Sequence, residues 1–352
     1  MPKSESVLSK ELKTLSELFS GNQSLLIIVH NNPDPDAIAT AAALQFLVKQ
    51  KFNINSDIAF GGNIGRAENR AMVKKLKIRM KQINRISIDK YDRIALVDTQ
   101  PGSGNNSLPK KKKCHIVIDH HPKRRGAKTD LFIIEPEIGV SATILVEWLI
   151  ANNIDIPADL ATALSYAIIS ETQHLGRETN KRDIQAYLLV YTKSSIRKLA
   201  QIMNPTLPRS YFVSLAKTLT NTYIYKNLIY SNLGDVPNAE IVAEMADFLL
   251  RHDRIGWSLC TGRFKDKLII SIRSSNPKAR AGRFVKRLAK NSDTVGGHDM
   301  VAGGFIPLAG QSKAELGNMD SSLVANFARL TGNKEADWKP LLDVSNLLRM
   351  SD

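Results

Sequence analysis

A two-domain α/β fold is what the sequence predicts: a mainly parallel sheet with helices on both faces, followed by a smaller α/β domain. Apolar runs alternate with helix-patterned stretches from about residue 20 to 190, the alternation that builds a parallel sheet under crossover helices. Three of those runs, Leu25–Val29, Arg93–Val97 and Ile116–Ile118, read as buried strands, and each ends in ligand-type side chains. At 352 residues, with 43% apolar, the chain is long enough for two ordinary cores.

The N-terminal stretch MPKSESVLSKELKTLSELFS has the rhythm of an amphipathic helix and lacks the apolar core of a signal peptide. Strand 25–29 leads through HNNPDPD (30–36) into AIATAAALQFLV (37–48), a helix rich in small and apolar residues. Pro33 and Pro35 stiffen that loop and keep it from joining the helix early. Strand-like Asp57–Phe60 precedes GGNIGRAENRAM (61–72), where Arg66 and Arg70 present guanidinium groups to the site or Glu68, Asn69 and Arg70 simply begin a helix. Helix-like Ile144–Ile150 and Ile184–Tyr191 cover the sheet, closing a first domain at residues 1–193. Residues 194–222, with Pro205 and Pro208 between helical patterns, read as a helical linker. The second domain, 223–335, has strand-like Lys226–Asn232, helix-like Asn238–Leu250, strands near Ile255–Arg263 and Leu268–Arg273, and helix-like Ala279–Ala289. A tail, 336–352, includes the helix-like stretch Pro340–Met350.

Carboxylates and imidazoles gather at the strand tips: His30, Asp34 and Asp36 after the first, Asp98 after the second, Asp119, His120 and His121 after the third. Glu171, after the apolar stretch Ala161–Ile169, is a fourth candidate. Any one of these has a plain reading as a cap or turn residue; together, in the crevice where open α/β sheets bind ligands, they point to metal. Mixed carboxylate and imidazole ligands suit Mn²⁺ best, with Co²⁺ or Mg²⁺ as substitutes. Two such ions about 3.5–4 Å apart generate hydroxide and neutralise a phosphoryl group, so phosphate ester hydrolysis is the chemistry expected. Cys114 and Cys260 are isolated, which excludes a thiolate zinc site and fits a reducing cytoplasm.

These residues resemble a known family. H-x-x-x-D-x-D, a single Asp after a second strand and a D-H-H triplet after a third are the motifs of the DHH phosphoesterase superfamily. SIRSS (271–275) with VGGHDMVAGGF (295–305) resembles the substrate motif of its DHH-associated C-terminal domain. The pair is similar to the branch holding oligoribonuclease (nanoRNase) and 3′-phosphoadenosine-5′-phosphate phosphatase proteins. The resemblance implies that His30, Asp34, Asp98 and Glu171 surround one metal and that Asp36, Asp98 and His120 surround the other, with Asp98 bridging. It implies that Asp119 orients imidazoles and that His121 lies near the scissile phosphate. The family usually has Asp where this chain has Glu171. In the second domain it implies that Arg273, Ser275, Gly296, Gly297 and His298 hold the substrate's phosphate or base. Glycines let backbone amides approach an anion, and an arginine can grip phosphate bidentately. The substrate is expected between the two lobes.

A formal charge of +15, from 49 Lys+Arg against 34 Asp+Glu, favours polyanionic ligands. The run Lys110–Lys113 reads first as a solvated loop, and Arg177 is a further phosphate-binding candidate. Aromatics, at 6%, are not interleaved with the basic run, which excludes a single-strand stacking platform. No stretch reaches the length of a membrane span. The expected protein is a cytoplasmic phosphodiesterase or phosphatase of short oligoribonucleotides or linear dinucleotides, homodimeric as the family often is. Within the superfamily the alternatives are a pyrophosphatase, an exopolyphosphatase or a cyclic-dinucleotide phosphodiesterase; outside enzymes, a nucleotide sensor whose catalysis has decayed.

Overall fold

The computed structural model describes residues 5–21, 23–124, 126, 129–290, 292, 294–297, 299–308, 313–333 and 336–342. Two compact units divide between Thr206 and Leu207. This point lies within the expected linker, whose two halves are helices assigned to different units. The expected helix over Pro340–Met350 falls mostly outside the described residues, and Pro340 itself lies in a short strand.

The first unit runs α1 (Glu5–Leu18), β1 (Ser24–Val29), α2 (Pro35–Phe52), β2 (Asn55–Phe60), α3 (Ala67–Lys75), β3 (Met80–Gln82), β4 (Arg93–Val97), β5 (Ile116–Asp119), β6 (Leu131–Ile134), α4 (Ser141–Ala151), α5 (Ala158–Glu171), α6 (Lys181–Tyr191) and α7 (Ile196–Met203). Its strands form one sheet in the order β3-β2-β1-β4-β5-β6, every pair parallel. Strand side chains alternate between faces. Leu25, Ile27, Val29, Ala95 and Val97 join the large core built with the α-helices, whereas Leu26, Ile28, Ile94, Leu96 and Val117 face the other way. That second face refines the expectation of helices on both sides. It is covered by Ile83, Ile86, Ile88, Tyr91 and Leu108, from two short 3-10 turns and a loop rather than from a full helix.

The second unit runs α8 (Arg209–Thr220), β7 (Thr222–Tyr225), β8 (Leu228–Asp235), α9 (Glu240–Leu249), β9 (Trp257–Phe264), β10 (Lys267–Ser274), α10 (Ala281–Leu288), β11 (Val295–Gly297), β12 (Val301–Pro307), α11 (Lys313–Leu330) and β13 (Lys339–Pro340). Its sheet, β11-β12-β10-β9-β8-β7-β13, is mixed, with only β8 and β9 parallel. Val285, Leu288, Leu323 and Phe327 pack one face from α10 and α11; Ile241, Val242 and Met245 of α9 pack the other. No described helix is long and apolar enough to cross a membrane.

Candidate metal centre

Strand order reverses beside β1: the chain passes from β1 through α2 to β2 on one side, while β4 on its other side leads on to β5 and β6. Connections that leave neighbouring strands in opposite directions open a crevice beyond their carboxyl ends. Into that crevice the loops after β1, β4 and β5 bring His30 to Asp36, Asp98, and Asp119 to His121.

Asp98 is the hinge of the arrangement. It has a left-handed backbone, φ 55°, held by its amide donating to the Ile118 carbonyl at 2.8 Å. A β-carbon makes that conformation costly, so it is kept where the surroundings over-determine it. Its buried carboxylate faces two ways. Oδ2 lies 3.5 Å from Nε2 of His30, while Oδ1 lies 3.5 Å from Nε2 of His120 and 3.6 Å from Nδ1 of His121. His30, Asp34 and Asp98 thus form one group and Asp98, His120 and His121 another, each with ligand atoms within 4.8 Å of one another.

The imidazoles are pre-oriented. Nδ1 of His30 sits 3.0 Å from the Asn31 carbonyl and Nδ1 of His120 sits 3.3 Å from the Ile138 carbonyl. With Nδ1–H donating there, Nε2 is the ring atom that each histidine turns to the carboxylates, and the one a metal would take. His121 differs, because Asp119 engages its Nδ1 at 2.8 Å. The other oxygen of Asp119 accepts from Nε2 of Gln100 at 2.8 Å. Asp119 therefore holds His121 in place.

Asp34 and Asp36 divide their oxygens between architecture and site. Oδ1 of Asp34 caps α2 by accepting from the Ala37 amide at 2.9 Å, while Oδ2 lies 3.3 Å from His30. Asp36 is fully buried and accepts from the amides of Ser141 and Ala142 at 2.7 and 2.8 Å and from Thr40 at 3.0 Å. It thereby serves the amino end of α4, a favourable place for a carboxylate. Its Oδ2 is 3.9 Å from Nε2 of His120, at the edge of the second group. Glu171 closes α5, a helix end rather than a strand tip, and stands outside both three-residue groups.

Charge is unbalanced in this pocket. Burial drives the Asp36 carboxyl well up, as do Asp98 and Asp34. Burial, with Asp34 and Asp98 nearby, pushes Glu171 up to about 7. Burial disfavours the His30 imidazolium, yet Asp34 and Asp98 outweigh it and hold the ring well above its usual value. The same contest, won by Asp119 and Asp98, raises His121 to about 9. Carboxylates that force protons onto one another and onto imidazoles lack a positive charge among them, and a divalent cation fits that deficit.

The sequence-predicted residues of the second unit are placed differently. Arg273 is buried and paired with Asp247, and its Nη1 donates to Ser271 at 2.8 Å and to the Ile272 carbonyl at 3.0 Å. Its guanidinium is thus engaged by groups of its own unit. Ser275 is exposed just beyond β10, its amide donating to the Gly256 carbonyl at 3.1 Å. Gly296 and Gly297 lie in β11, and His298 lies outside the described residues. Beside Gly297, a cavity of about 350 Å³ is lined by Arg280, Gly282, Arg283 and Asp299. Sequence reading missed these two arginines, since nothing separates them from the basic residues around them.

Gln100 and Ser141 were also missed. Ser141 donates to Oδ1 of Asp98 at 3.2 Å. Their chemistry as neutral hydrogen-bonders leaves no mark in a linear reading. Arg70 bonds the carbonyls of its own loop, Ile64 and Gly65, while Lys112 and Lys113 pair with Asp89 and Asp130 at the surface. His115 accepts from the Ile94 amide at 3.1 Å.

Residues 24–168 match the DHH family, N-terminal domain, and residues 223–322 match the DHHA1 domain. The chain is 37% identical over 288 residues to an uncharacterized protein of Methanocaldococcus jannaschii, covering 81% of this chain and 58% of that protein. It is 31% identical over 198 residues to a protein of Lactobacillus delbrueckii subsp. bulgaricus named a probable manganese-dependent inorganic pyrophosphatase, covering 56% of this chain and 60% of the other. The chain thus spans about three fifths of the length of these relatives. Its fold is that of an exopolyphosphatase-related protein from Bacteroides fragilis, with a TM-score of 0.73 at 16% identity, over 92% of this chain and 98% of that one.

Proposed function

The chain belongs to the DHH superfamily, with its N-terminal DHH domain and a DHHA1 domain, and from that premise we propose a dinuclear metal-dependent phosphoesterase that hydrolyses short oligoribonucleotides or linear dinucleotides to mononucleotides. The observation that carries this reading is the two-faced carboxylate of Asp98, one oxygen toward His30 and the other toward His120. Two divalent cations, held by His30, Asp34 and Asp98 and by Asp98, His120 and Asp36, would supply Lewis acidity and an activated water. Mn²⁺ suits the donor set, and several relatives are named manganese-dependent. His121, raised to about 9 and held by Asp119, carries a proton at neutral pH that it can give to the leaving oxygen. Glu171 lends a carboxyl near neutrality.

In the second unit, the cavity lined by Arg280, Arg283 and Gly297 offers guanidinium groups and glycine backbone to an anionic or ring-bearing part of the substrate. Free, buried Cys114 and Cys260 suit a cytoplasmic setting. We take the chain to act as a homodimer, supported by the exposed apolar residues Ile184, Leu188 and Tyr191 on α6; a monomer mass at every concentration contradicts that. Pyrophosphate is the second reading, favoured by the names of the relatives that match about half of this chain.

The experiment is a substrate panel. The protein with Mn²⁺ is incubated with pApA, cyclic di-AMP, 3′-phosphoadenosine-5′-phosphate, pyrophosphate and polyphosphate, beside Asp98→Ala. Release of AMP from pApA, lost in the variant, is expected. Faster turnover of pyrophosphate selects the second reading, and tight binding without any product selects a sensor.

A further inference from the structure

The segment after α5 is built unusually. Gln173, His174 and Leu175 are consecutive left-handed residues, with φ of 47°, 59° and 65°, and Glu178 adds a fourth at 47°. None is glycine, so each holds a conformation its β-carbon disfavours. The turn is pinned by the His174 amide donating to Ile169 at 2.8 Å, the Arg177 amide to Thr172 at 2.9 Å, and the Leu175 amide to the Thr172 hydroxyl at 3.0 Å. On its far side the carbonyl of Glu178 presses on Gly139, where a β-carbon would stand 2.4 Å away. Strain of this kind persists where it aims a side chain.

Arg177 lies within that turn. Its Nε is sealed from solvent and has no hydrogen-bond partner among the described residues. The turn that carries it packs on Gly139, and the adjacent Ile138 carbonyl is the one that faces Nδ1 of His120 at 3.3 Å. A guanidinium is always protonated, and a buried N–H without an acceptor is costly, so an anion brought to the cluster is the acceptor it lacks. We propose that Arg177 contacts a non-bridging oxygen of the phosphoryl group bound at the metal centre, a substrate-binding role presented by the left-handed turn. A guanidinium there would offset the phosphoryl charge without ligating metal itself.

This inference rests on the phosphoester reading, and its test is separable from it because inorganic phosphate is the probe. Calorimetric titration of the Mn²⁺-loaded full chain with phosphate is compared among wild type, Arg177→Gln and Arg177→Lys, with Mn²⁺ affinity measured by electron paramagnetic resonance. Expected are a tenfold or larger loss of phosphate affinity in Arg177→Gln, partial recovery in Arg177→Lys, and Mn²⁺ affinity within about twofold of wild type. Unchanged phosphate affinity in Arg177→Gln overturns the proposal. So does a parallel fall in Mn²⁺ affinity in both variants, which would make the arginine a support for Glu171. If wild type binds phosphate with the expected contrast yet hydrolyses nothing, the phosphoester reading fails and the assignment of Arg177 stands.

Discussion

At the residue scale the centre is a set of carboxylates each doing two jobs, and the pH behaviour of the metal-free chain follows. The His121 imidazolium, held by Asp119, titrates near 9 when folded against about 6.5 when unfolded. Its contribution is whole below the unfolded value and is lost as the pH rises through about 9. Asp119 is held below its usual range, so the acid limit comes as the pH falls through that lowered value. In EDTA, the thermal midpoint of His121→Gln should therefore lie below wild type near neutrality and converge with it at about pH 10; a gap that widens with pH contradicts the pairing. Asp36→Ala removes the acceptor of two buried amides, of Ser141 and Ala142, and should cost roughly 1–3 kcal/mol in urea unfolding without metal. The metal-ligand types were legible because only carboxylates and imidazoles offer such donors. That Asp36 also caps α4, 105 positions away, was not, since no local pattern announces a partner at that distance.

At the element scale, strands ending in ligands were readable because residues buried on both faces leave unbroken apolar runs, as in β1, β4 and β5. The edge strand β3 was not, being three residues long and polar at two of them. The glycines before and after His298, read from the sequence as places where backbone amides approach an anion, lie in the paired strands β11 and β12. The reason is close approach: at Gly282, the first turn of α10, a β-carbon would stand 2.2 Å from the Gly297 carbonyl. Gly282→Ala must push α10 off β11, at a cost of about 1–3 kcal/mol. Hydrogen exchange should report it as faster opening of the β11 and β12 amides with β1 and β4 unaffected; uniform protection across both units contradicts it.

At the scale of the whole molecule, two units with separate cores make separable responses. The candidate metal ligands all belong to the first unit, so Mn²⁺ at about 100 times its dissociation constant should stabilise that unit by roughly 2.7 kcal/mol and leave the second where it was in EDTA. Scanning calorimetry with and without metal reads this directly, and an equal upward shift of every transition contradicts it. Whether the Asp98 carboxylate joins two cation sites is read most directly by paramagnetic resonance of the Mn²⁺-loaded chain. Two manganese ions per chain with an exchange-coupled spectrum are expected, with an uncoupled, weaker-binding signal in Asp98→Asn. A single ion per chain, or an uncoupled spectrum that Asp98→Asn leaves unchanged, would contradict it.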